Sequence, residues 1–224
     1  MRLRLATSLV QTHVNMTQPY IDISPEISAS TAVFPGDAPF CREVTQDFPR
    51  GDNLLLSKIE TTVHIGAHAD APNHYRHDGQ GIAERSLIPY YGPCQVVHVH
   101  APRGQRIAPE HLQGKRITAP RILLRTDSYP DPQRWNSDFN ALSPELVRML
   151  AEHNVVLVGI DTPSVDLADA KQLIAHAEIY RHDMSILEGL VLHDVAEGTY
   201  HLTALPLRLR DADASPVRAV LWKN

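Results

Sequence analysis

The sequence predicts an α/β fold, a β-sheet with helices packed against it, and three stretches carry that prediction. Val155–Ile160 is continuously apolar, as expected of a strand buried on both faces. Pro93–His100 alternates, with Val97 and Val99 on one face and His98 and His100 on the other, the period of a half-buried strand. Ser143-Pro144-Glu145 offers an N-cap, a proline at the first helical position and an acid in the first turn. Leu146, Met149 and Leu150 then fall at helical spacing. With 224 residues, 43% of them hydrophobic, the chain is long enough for one full core, and one domain is the default.

Taken in order, residues 1–15 are basic and lack acids. Their apolar run, Leu5–Val10, is too short and polar for a secretory signal. A short transit-like arm is the alternative. Residues 1–16 are expected to be an extension without fixed structure and 17–224 the folded domain, with Met16 marking the start of that domain or of translation. Tyr20–Ile23 reads as a short strand ended by Ser24-Pro25, and Phe34-Pro35-Gly36-Asp37 as a Pro-Gly turn. Phe34, beside that turn, either lines a pocket or joins the core. Leu54–His64 reads as a strand, Tyr75–Ile82 as a surface loop, and Pro109–Gln113 as a helical turn closed by Gly114. Arg121–Thr126 is another strand. The helix opened by Ser143 runs to about His153, where a cation at the C-terminus is favoured. Val155–Ile160 delivers Asp161 to its C-terminal end. Asp161 and Asp166 either position the site loop or cap turns, and the structural role is the preferred reading. A helix is expected over Lys171–Arg181, then strands at Met184–Leu187, Tyr200–Leu209 and Val217–Trp222.

The chemistry concentrates in His64-Ile65-Gly66-Ala67-His68-Ala69-Asp70-Ala71-Pro72-Asn73-His74. Imidazole and carboxylate together suit zinc, manganese or iron. His64 and His68 are four apart, the spacing of one helix face, but Gly66 and Pro72 interrupt a helix and the preceding Lys58–Val63 is strand-like. His64 is therefore expected near a strand end, with His68 and Asp70 on the loop it feeds. If that segment stays extended, His68 and Asp70 point the same way. A lone histidine would read as a solvated polar residue; three with an aspartate in eleven positions read as a metal site. The pair His98 and His100 reads instead as sheet-bound or solvent-facing.

Formal charge is −5 with no basic run, which argues against nucleic acid and anionic membranes as partners. No apolar segment approaches the ~18 residues of a membrane span. Cys41 and Cys94 form no Cys-x-x-Cys pattern and read as free thiols in a reducing, cytoplasmic compartment. There is no Gly-x-Ser-x-Gly elbow and no Gly-x-Gly-x-x-Gly loop.

The string from His64 to His74 resembles the signature of the metal-dependent cyclase superfamily of amide hydrolases. Its Gly-Ala-His-Ala-Asp-Ala-Pro form resembles the bacterial kynurenine formamidase branch. Asp22–Pro25, Phe34–Asp37, Gly159–Asp166 and Ile186–Leu190 extend the likeness from about residue 20 to the C-terminus. The resemblance implies, more firmly than the strand pattern does, a mixed and partly barrel-like sheet flanked by a few helices. It also implies a homodimer. Its metal positions fall on His64, His68, Asp70, His176 and Glu188. Two zinc ions per chain are implied, with Asp70 and Glu188 bridging. Without the resemblance, His176 reads as a helix-surface histidine and Glu188 as an ordinary acid. His74 falls on the family's acid/base position. Phe34 stands where the family commonly has a tryptophan touching the substrate. The implied reaction is hydrolysis of N-formyl-L-kynurenine in tryptophan breakdown; another amide hydrolase of the superfamily, such as one opening isatin or a related cyclic amide, and a non-catalytic metal-stabilised binding protein are the alternatives.

Overall fold

A computed structural model describes residues 20–112 and 114–223. The expected N-terminal extension and the start at Met16 lie outside the described residues. The strands are β1 (Ile21–Asp22), β2 (Cys41–Gln46), β3 (Leu56–Glu60), β4 (His68–Asp70), β5 (Tyr91–His98), β6 (Arg106–Ile107), β7 (Arg121–Arg125), β8 (Ala141–Leu142), β9 (Leu157–Ile160), β10 (Ser185–Glu188), β11 (Gly198–Thr203), β12 (Ala214–Pro216) and β13 (Val220–Trp222). The helices are α1 (Pro144–Glu152) and α2 (Ile174–Arg181).

Nine strands form one curled, half-barrel sheet in the order β1-β13-β11-β5-β7-β9-β10-β4-β12. Its centre, β5-β7-β9-β10, is parallel, and both wings are antiparallel. Parallel strands need both faces covered, and these have it. Alternate residues of the central strands divide between two cores. Val97, Ile122, Leu124, Val158 and Ile186 meet Leu146, Leu150 and Ile179 of the helices. Val96, Leu123, Leu157 and Leu187 fill the other face with Tyr90, Leu202 and Leu221. Burying each such aliphatic side chain is worth about 1.5–3 kcal/mol.

Several expectations hold. Phe34–Asp37 is a turn closed by Asp37 N–H donating to the Phe34 carbonyl at 2.9 Å, with Gly36 at φ 101°. α1 starts where Ser143 caps it. His98, the last residue of β5, sits 2.8 Å from the carbonyl of Val195 in the loop before β11, so its partner is a backbone group just outside the sheet.

Others need correction. The strand read over Leu54–His64 is only β3. It pairs with β2 in a separate ribbon whose β3 residues are all exposed. Its alternation of apolar and polar residues therefore marks a projecting arm and not a half-buried strand. His68 and Asp70 lie on β4, a buried strand, and not on a loop. β10 and β12 pair with β4 on its two sides, so the backbone hydrogen bonds of three residues suffice despite Gly66 and Pro72. The strand over Tyr200–Leu209 stops at Thr203. Tyr75–Ile82 is not wholly surface, since Ile82 is buried.

Candidate metal centre and active site

The centre lies at the C-terminal end of the parallel strands, where sites in open α/β sheets collect. β10 ends in Glu188, and its antiparallel neighbour places His68 opposite it and Asp70 opposite Ile186. His68 and Asp70, two apart on an extended strand, face the same side. Gly66 and Gly189 let the two segments touch by backbone. Gly189 has φ +65°, and a Cβ there would lie 2.1 Å from the Gly66 carbonyl oxygen. α2 delivers His176 from its first turn. Asp166 accepts hydrogen bonds from the Ala175 and His176 amides at 3.2 and 3.1 Å. It also lies 2.8 Å from His176 Nδ1, and Arg106 donates to it at 2.7 Å. The opposite ring nitrogen, Nε2, thereby points at Asp70 and Glu188.

All five predicted donor residues converge. His64 Nδ1 is 3.1 Å and His68 Nε2 3.5 Å from Asp70 Oδ1. His68 Nε2 is also 3.2 Å from Glu188 Oε2. His176 Nε2 is 3.3 Å from Asp70 Oδ2 and 3.7 Å from Glu188 Oε1. His68, Asp70, His176 and Glu188 are at most 3% exposed. Yet His68 Nε2 and Asp70 Oδ1 are buried without a hydrogen-bond partner. Such orphans are costly unless a further group satisfies them. The edge of a tetrahedron of nitrogen and oxygen donors around zinc is about 3.3 Å, close to the spacings seen. The donor set fits a metal.

Electrostatics point the same way. Burial opposes charge on His64, but Asp70, Asp213 and Glu188 outweigh it and raise its pKa to about 9. Burial likewise opposes charge on His176, while Asp166, Asp70 and Glu188 lift it to about 10. Asp70 is buried, yet its imidazole neighbours hold it well below the usual carboxylate range. The pocket is thus built to stabilise positive charge between ionised carboxylates.

His74 ends a 3₁₀ turn, Pro72–His74. Its ring centroid is 4.1 Å from that of His64 and 6.1 Å from that of His176, and its side chain is 33% exposed. It borders the same cavity as the buried centre. That cavity, about 740 Å³, is lined by Phe34, His64, His68, His74, His176 and Glu188 among others. Such a volume is ordinary for a small-molecule site. Phe34, 38% exposed, packs edge-on against Trp135 at 4.9 Å.

Three carboxylates play parts that the sequence leaves open or does not signal. Asp161 accepts from the Thr126 and Asp127 amides and the Thr126 hydroxyl, the structural role expected. Asp166 both caps α2 and aims His176. Asp213 went unread. It lies 2.9 Å from His64 Nε2 and 3.4 Å from His74 Nδ1. Its sequence setting, Arg210-Asp211-Ala212-Asp213, looks like a polar turn; only the pairing of β12 with β4 brings it to the site.

The family model described as "Putative cyclase" matches residues 21–167. Kynurenine formamidases of Bordetella petrii and Bordetella pertussis are 47% and 48% identical over 205 residues, covering 89% of this chain and 96% of each relative. A solved potential metal-dependent hydrolase with cyclase activity superposes with a TM-score of 0.78 at 24% identity, covering 92% of this chain and 98% of that one. Isatin hydrolase A from Labrenzia aggregata gives 0.75 at 23%, covering 90% and 92%. These two structures share the curled sheet and helices.

Proposed function

The chain belongs to the cyclase family and, within it, to the kynurenine formamidase branch, and from that premise we propose that it hydrolyses N-formyl-L-kynurenine to L-kynurenine and formate in tryptophan breakdown. The observation that carries the chemistry is the buried donor cluster with two orphaned atoms at the wall of a substrate-sized cavity.

His64, His68, Asp70, His176 and Glu188 would hold two zinc ions. The two oxygens of Asp70 face different histidines, and so do those of Glu188, which supports room for more than one cation among these donors. Bound zinc supplies Lewis acidity, lowering the pKa of water toward about 7 and polarising a carbonyl. His74 stands beside the donors and serves as acid/base. It accepts the proton of the attacking water as the new C–O bond forms at the formyl carbon. It then returns that proton to the aryl nitrogen as the C–N bond breaks. Phe34 and its Trp135 support offer an aromatic wall to the aryl ring.

A homodimer is part of this reading. The β2–β3 ribbon projects with Phe48 and Ile59 each 63% exposed, an apolar arm that a second copy would cover. Both cysteines are free, which supports a reducing, cytoplasmic setting. Among the described residues no helix is long and apolar enough to cross a membrane.

The test is formylkynurenine hydrolysis before and after chelation, with zinc added back. Turnover lost on chelation and restored by zinc is expected. A zinc-loaded protein that leaves formylkynurenine intact but opens isatin would move the substrate, and one that binds no metal would overturn the reading. His74→Asn should retain bound metal and lower kcat by ~10²–10⁴. Unchanged turnover in that variant would remove His74 from the mechanism.

A further inference from the structure

We propose that Asp213 is a positioning residue that sets two rings at once, selecting Nδ1 of His64 as its metal-facing atom and fixing the orientation of His74. The proposal rests on the metal-hydrolase reading above and deepens it.

The geometry is specific. Asp213 immediately precedes β12, and its backbone is tied to the end of β4, with its carbonyl accepting from Ala71 N–H at 2.9 Å. Its next neighbour, Ala214, pairs with Asp70. The carboxylate is thus fixed from the same strand that carries His68 and Asp70. One oxygen, Oδ2, serves both rings, at 2.9 Å from His64 Nε2 and 3.4 Å from His74 Nδ1. A carboxylate accepts only, so Nε2 of His64 must carry the proton of that bond. When His64 is neutral, its lone pair then lies on Nδ1, the atom facing Asp70 Oδ1 at 3.1 Å. Two acceptors at that distance repel unless a cation lies between them. The same logic gives His74 a proton on Nδ1 and leaves Nε2 as the basic nitrogen. The two rings, tilted by 42° with centroids 4.1 Å apart, are clamped by the shared oxygen. Carboxylates that hold a ligating histidine through its second nitrogen fix tautomer and ring orientation.

The test uses the zinc-loaded protein and three variants: Asp213→Ala, Asp213→Asn and His74→Asn. In a competition with a chromophoric chelator, Asp213→Ala should bind zinc ~10–100-fold more weakly. At saturating zinc its kcat should fall by ~10–100-fold with KM within about twofold of wild type. Asp213→Asn keeps one acceptor oxygen and should lie between wild type and the alanine variant. In the His74→Asn background, adding Asp213→Ala should cost far less than it does alone, since the ring it would have held is gone. Zinc affinity and kcat both unchanged in Asp213→Ala would overturn the proposal, as would its full kcat loss persisting in the His74→Asn background. The chelator arm needs no substrate. It therefore tests the role of Asp213 even if the true amide differs, whereas a wild-type protein that binds no zinc would sink the parent reading.

Discussion

The two helices, α1 of nine residues and α2 of eight, pack on the same face of the sheet but start in opposite ways. α1 is capped by its own neighbour: Ser143 Oγ accepts from the Leu146 amide at 3.1 Å, and Pro144 opens the first turn. The residue before α2, Leu173, offers no side-chain cap. Its first-turn amides go instead to Asp166, a buried carboxylate in the preceding loop. The same carboxylate grips the His176 ring and is held by Arg106 from β6. A helix that only fills a core can start on local chemistry. One that must aim a single ring at a buried centre starts where a second element dictates.

Breaking that distant cap should produce the largest effect. Asp166→Ala removes a fully buried carboxylate bound to Arg106 and His176. Losing one partner of a buried pair costs about 3–5 kcal/mol, and freeing the ring of a ligating histidine weakens metal binding by ~10–100-fold. Denaturant unfolding and chelator competition measure the two separately. A stability loss with unchanged metal affinity would mean that α2 aims His176 without Asp166.

The next effect reads the charge that α2 and β4 bring together. In the metal-free protein His64 titrates near 9 and His176 near 10, so both carry protons at neutral pH. Metal needs their lone pairs, and its uptake must displace those protons. Apparent affinity should therefore climb with pH, by roughly up to a hundredfold per unit while both protons are displaced, and flatten above about 10. Folding of the metal-free chain should run the other way. Both pKa values stand above the unfolded value of 6.5. Their stabilisation is complete below that pH and is lost as pH rises through 9 to 10. Proton release on zinc addition, together with Tm of the chelated protein against pH, checks both signs. Zinc uptake without proton release would show that these rings are already neutral.

What was legible in the chain follows the same division. The β9 strand, the Phe34–Asp37 turn and α1 were readable because period, turn residues and caps act over a few positions. His64, His68 and Asp70 announced a metal by density alone. Their strand did not, because β4 is three residues long and is held by its neighbours, β10 and β12. His176 and Glu188 carry no local signal; family resemblance pointed to them, and the ladder of β10 with β4 and the Asp166 grip bring them to the centre. Asp213 had neither signal. In the opposite direction, β3 looked like a strand feeding the site and proved to be an exposed arm, since alternation reports a strand's two faces and not what covers them.

The smallest effect comes from the helix that needs nothing distant. Ser143→Ala removes the one side-chain acceptor at the start of α1 and should cost ~1 kcal/mol. Leu146, Val147 and Leu150 keep the helix seated on the sheet, and Pro144 keeps its first turn preformed. Nothing in that cap touches His176, so zinc affinity and kcat per folded molecule should match wild type while the denaturant midpoint falls. If instead Ser143→Ala weakened zinc binding, the two helices would be coupled through their shared core. The division between a helix that fills and a helix that aims would then fail at its simpler end.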